Sequence, residues 1–112
     1  MKNIFYSAIL CAAATFASAE GDSREEQIKS HCKALGGIAF LAVEKYKTGR
    51  EMEDVKKELS SVVDSAATTT NGGIFSDQFL EDYNKILVEV YSTKQRKSKD
   101  YAVSYIKKCQ QR

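Results

Sequence analysis

Apolar residues in this chain recur at alternating steps of three and four, and none of its 112 residues is a proline. That spacing lays side chains along one face of a helix of about 3.6 residues per turn, and without proline nothing forces a helix to break. The first stripe reads Ile28, Cys32, Leu35, Ala39, Ala42 and Tyr46. Ser23 with Glu26 forms a capping box at its start, and Thr48-Gly49 suits its end. A second stripe, Met52, Val55, Leu59, Val62 and Ala66, has Glu51, Glu53 and Asp54 at its start, where the helix dipole favours anions. It runs into Thr68-Thr69-Thr70-Asn71-Gly72-Gly73, the one low-complexity segment and the expected flexible loop.

The third stripe is Phe79, Tyr83, Ile86 and Val90, flanked by Leu80, Leu87 and Tyr91. Ser76 is its expected cap, and Phe75 is expected to staple against Leu80. As the most apolar of the set, this helix is expected at the centre. Its main local rival is a strand over Ile86 to Tyr91, rich in β-formers. After Thr93-Lys94-Gln95-Arg96-Lys97 breaks the period, Ser98 is the expected cap of a last helix whose inner face carries Ala102, Tyr105, Ile106 and Cys109. The pattern predicts an all-α protein, a small four-helix up-down bundle.

The N-terminus has the three parts of a secretory signal. Lys2 is the cationic start, Ile4 to Phe16 the short apolar centre, and Ala17-Ser18-Ala19 the small residues before a cut. The apolar run is shorter than the roughly 20 residues that span a bilayer, so no transmembrane segment is expected in the mature chain. Lipidation at Cys11 is disfavoured by the bulky Leu10 before it. Residues 1–19 are therefore read as a cleaved signal peptide and 20–112 as a single helical domain, exported to the periplasm, with release from the cell as the alternative.

Cleavage leaves 93 residues and two cysteines, Cys32 and Cys109, read as a disulfide in an exported chain. In an up-down bundle the first helix begins where the fourth ends, which brings the two stripes' cysteines to the same end. Closing a loop of 77 positions is worth roughly 4.5 kcal/mol in the chain-entropy model.

The side-chain inventory excludes several kinds of function. Seventeen basic and fifteen acidic residues give a net charge of only +2, so no bulk field points to nucleic acid. The single histidine, His31, has only Gln27 as a local polar partner at helical spacing, and a solvated or half-buried place on the helix face is expected. A catalytic or pH-sensing role would need a carboxylate from another helix. With one His and its thiols paired, the mature chain offers no metal-ligand set, and Glu51, Glu53 and Asp54 point apart around their helix. Asn71-Gly72-Gly73 lacks the lysine and strand of a phosphate loop, so no cofactor is expected.

Gly36-Gly37 in mid-helix costs about 1 kcal/mol per residue against alanine, which predicts a close helix approach beside the disulfide. Lys94, Arg96, Lys97 and Lys99 cluster at the start of the fourth helix, and Arg96, Lys97 and Lys99 are the candidate contacts for an acidic partner. Leu41, Leu80 and Leu87 are left over from the stripes and leave room for a homodimer.

The cysteine in an Ala-rich helix, Lys47-Thr48-Gly49 at its end, Val88-Glu89-Val90-Tyr91 in mid-chain, and Ala102 leading to Lys108-Cys109 together resemble a loose group of small exported proteins of Gram-negative bacteria and their phages. The resemblance implies a helical periplasmic protein and supplies no activity. The expected function is non-enzymatic binding of another protein in the cell envelope, as an inhibitor or immunity-type protein. The alternatives are a periplasmic stress chaperone and, last, a small enzyme.

Overall fold

The computed structural model describes the backbone over residues 2–111 and the side chains over 24–111. The expected signal segment 1–19 and the cap at Ser23 lie outside the residues whose side chains are described. The chain is all-helical: α1 (Lys2–Lys47), α2 (Met52–Thr69), a 3-10 turn (Thr70–Gly73), α3 (Ser76–Thr93) and α4 (Ser98–Gln110), with no strand among the described residues. Ile86 to Tyr91 is helical, which rules out the strand reading.

The hub of the packing is α1 rather than α3, because α1 lies against α2, α3 and α4, whereas α3 packs on α1 and α2. The small residues Ala39 and Ala42 are what let neighbours come close, and both are fully buried with Leu35 and Val43. Phe79, Tyr83, Ile86, Leu87 and Val90 of α3 fill the centre against them, as their spacing predicts. In α2 the stripe is turned by one residue. Val63 and Ala67 are buried where Val62 and Ala66 were expected, and Val62 is 46% exposed. Two adjacent valines leave local periodicity indifferent, and the packing of α2 against α1 and α3 decides between them. In α4 the buried residues are Ser98, Tyr101, Ala102 and Cys109, while Tyr105 and Ile106 are half-buried.

The helix ends use backbone devices. Arg50 N–H donates to Lys45 O at 3.3 Å and Gly49 N–H to Tyr46 O at 3.0 Å, the paired bonds of a Schellman end around Gly49 at φ 85°. The end of α3 copies it with a lysine: Lys94 sits at φ 55°, and Gln95 N–H reaches Val90 O at 3.1 Å. The segment 68–73 is not an open loop. Thr68 and Thr69 continue α2, and left-handed Asn71 donates from Nδ2 to Gln27 O of α1 at 2.7 Å. Neither expected serine caps its helix, since Phe75 and Lys97 stand at the N-cap positions without side-chain cap bonds. Phe75 also misses Leu80, which is exposed, and meets the His31 ring edge-on at 5.5 Å.

The Cys32–Cys109 disulfide joins α1 to α4, with Cα atoms 5.7 Å apart. One turn further along α1, a Cβ on Gly36 would run into the Ile106 side chain of α4, while a Cβ on Gly37 would meet nothing. The expected close approach therefore belongs to Gly36 alone. Gly36→Ala is expected to lower stability by about 1–3 kcal/mol through overpacking, and Gly37→Ala to raise it by about 0.5–1 kcal/mol through helix propensity. Urea unfolding of the two variants checks the contrast.

Tyr83 adds a pH-dependent contribution. Its hydroxyl donates to Val55 O at 3.4 Å or Lys56 O at 3.3 Å on α2, and burial pushes the phenol up to about 12. A phenol raised from about 10 in the unfolded chain keeps its proton longer when folded, so this stability is complete below about pH 10 and is lost as pH rises toward about 12. Tyr83→Phe is expected to flatten that alkaline loss, measured by urea unfolding across the window.

Candidate functional site: the groove between α3 and α4

Because α4 packs chiefly on α1, a groove of about 720 Å³ remains between it and α3. Its apolar lining comes from Ile86, Tyr101, Tyr105 and Cys109, the last placed there by the disulfide. Its charged lining comes from Lys85 and Glu89 of α3, Arg96 and Lys97 of the connector, and Asp100 and Lys108 of α4. The left-handed turn at Lys94 reverses the chain and sets Arg96 and Lys97 at one end of the groove. Of the three basic residues expected to act together, Arg96 and Lys97 line the groove. Lys99 is exposed and lies outside that lining.

At the same end, Glu44 of α1 is held below the usual carboxylate range by the Lys47 ammonium, 2.9 Å away, and next by Ser98, against the opposing effect of burial. Its carboxylate thus lies beside the first turn of α4, where it complements the positive end of the helix. Tyr101 lies deeper and is 7% exposed. Burial first, and then the Glu89 carboxylate, push its phenol far up, although among the described residues the hydroxyl does not reach hydrogen-bond geometry with any group.

The second polar feature was missed in the sequence. His31 is 6% exposed rather than solvated or half-buried, and it has the distant carboxylate that local spacing could not supply. His31 Nε2 lies 3.1 Å from Oδ2 of Asp82, a residue of α3 that is 1% exposed, and Asp82 Oδ1 accepts from Gln78 Nε2 at 2.9 Å. The His31 ring is braced edge-on by Phe75 and Phe79, each 5.5 Å away. The signal was present: Asp82 falls three residues after Phe79 and four before Ile86, and His31 four before Leu35, so both stand on apolar stripes. A polar residue at a core position demands a partner. Asp82 also lines the groove, so the pair reaches from its wall into the core.

Comparison of the chain with family models, with curated proteins and with solved structures gives no match in any of the three. The reading of the site therefore rests on its geometry.

Asp82→Ala strands a buried imidazole and is expected to cost about 2–4 kcal/mol, whereas replacing both partners together, His31→Phe with Asp82→Leu, recovers most of that loss. Urea unfolding of the two variants, at matched pH, measures the difference.

Proposed function

We propose that this protein is an exported, non-enzymatic binding module of the bacterial periplasm, of inhibitor or immunity type, whose α3–α4 groove receives a segment of another envelope protein. The observation that carries the reading is the groove itself, an open cleft with an apolar lining and with Arg96 and Lys97 at one end. The half-buried ring of Tyr105 supplies aromatic contact area, and arginine supplies a directional donor set for a carboxylate. The frame of the proposal is the up-down four-helix bundle, supported by the short connectors between successive α-helices and by α1 lying against the other three. The export reading draws on the signal-like start of the chain and on the Cys32–Cys109 bond, which suits an oxidising compartment.

Among the described residues no helix is long and apolar enough to cross a membrane.

The test compares two charge reversals of equal kind. Capture of partners from an envelope extract is expected to fall by roughly tenfold or more with Arg96→Glu and Lys97→Glu together, and to persist with Lys99→Glu. Undiminished capture by the double variant, or equal loss with Lys99→Glu, rejects the groove as the contact.

A further inference from the structure

Gly37 does nothing for the packing of the single chain. It is exposed, a Cβ there would meet nothing, and a helical glycine still costs about 1 kcal/mol against alanine. It belongs to a second row along α1, Ser30, Lys33, Gly37, Phe40, Glu44 and Lys47, which advances in steps of three and four. That is the spacing of a helix seam, yet the row lies on the side of α1 away from buried Leu35, Ala39 and Ala42. All of its members are exposed but Glu44, which is half-buried. Phe40 is 37% exposed, and Val103 on the neighbouring α4 is 58% exposed, so apolar surface is held in water on this face.

The row is complementary to itself. About the midpoint between Gly37 and Phe40, an antiparallel copy sets the Phe40 ring over the bare backbone of Gly37, Lys33 against Glu44 and Ser30 against Lys47, each pair twice over. A parallel copy would oppose Lys33 to Lys33 and Glu44 to Glu44. Within one chain Lys33 and Glu44 stand about three turns and about 16 Å apart along the helix, so they can meet only between chains. The Glu44 side chain is 43% exposed even with Lys47 beside it, which leaves it within reach of a second ammonium.

We propose that this row of α1 is a self-association face on which a second copy of the chain packs antiparallel, with Phe40 of each copy seated over Gly37 of the other and Lys33 of each paired with Glu44 of the other. The contact is narrow, so it sets monomer and dimer in equilibrium rather than fixing a permanent dimer. It shares no residue with the α3–α4 groove and does not depend on the groove's having a protein partner.

Sedimentation velocity of the full-length oxidised protein, from about 10 µM to about 1 mM, is expected to show a boundary that moves from monomer toward dimer. Gly37→Gln replaces the glycine with a good helix former whose Cβ meets nothing in the single chain. It fills the seat of the Phe40 ring and is expected to weaken association roughly tenfold or more at unchanged helicity. Lys33→Glu is expected to weaken association about three- to tenfold, and adding Glu44→Lys to the same chain to restore it. In a mixture of isotope-labelled and unlabelled chains, nuclear Overhauser contacts between copies are expected from the Phe40 ring to the Gly37 Hα. The proposal is overturned by a chain that stays monomeric throughout, which leaves the row for a different protein, or by association that either Gly37→Gln or Lys33→Glu leaves unchanged. A folded Lys33→Glu, Glu44→Lys chain that associates no better than Lys33→Glu overturns it too. Contacts between copies that miss Phe40 and Gly37, pairing through residues 1–19 included, overturn it even where the chain carrying Glu44→Lys does not fold.

Discussion

α4 is held to the protein chiefly through α1, and the groove between α3 and α4 depends on that one attachment. Two adjacent turns of α1 provide it: Cys32 bonds Cys109, and Gly36 lets the Ile106 side chain lie against bare backbone. The covalent bond limits how far the unfolded chain can wander, and the glycine limits how closely the folded helices can meet. Neither replaces the other. A disulfide without the notch would hold α4 at a distance, with Tyr101 withdrawn from the core cluster it now joins. A notch without the disulfide would leave a helix of 13 residues anchored by little more than one face.

The sequence made the helices legible because each stripe repeats at least four times. Phe79, Tyr83, Ile86 and Val90 are buried together as their steps require. Gly49 ends α1 as its freedom at positive φ suggests. Cys32 and Cys109 are buried and bonded, in keeping with their places on two apolar stripes. Legibility failed where two neighbours were equally apolar or where the deciding contact came from far along the chain. Val62 and Val63 differ only in which one the neighbouring helices cover. The centre of the fold went to α1 rather than α3 because small side chains, not greasy ones, let a helix be approached from three sides.

The polar site was hidden for a different reason. His31 and Asp82 stand 51 residues apart, and each alone reads as a surface residue. Their positions on two apolar stripes carried the information, but only when taken as a pair. A buried acid at the place of a core hydrophobe is costly unless something meets it, and the one histidine of the chain was the residue able to do so. The same demand explains Gln78, which holds the second carboxylate oxygen and would otherwise be an ordinary exposed amide.

The open groove was also written in the sequence, as a pattern of what is missing. Two helices close on each other when facing positions four apart are apolar. Along α3 the residues facing the groove include Lys85, Glu89 and Thr93, and along α4 they include Asp100, Ser104 and Lys108. Both rows have the four-residue step of a helix seam, and neither offers a hydrophobe to it. Bringing them together would strip water from charges of both signs without geometry fixed to pair them, and that cost exceeds what the attraction returns. The groove therefore stays open between polar walls, with buried Ile86 and Tyr101 and half-buried Tyr105 at its base, because the two helices are attached separately to α1.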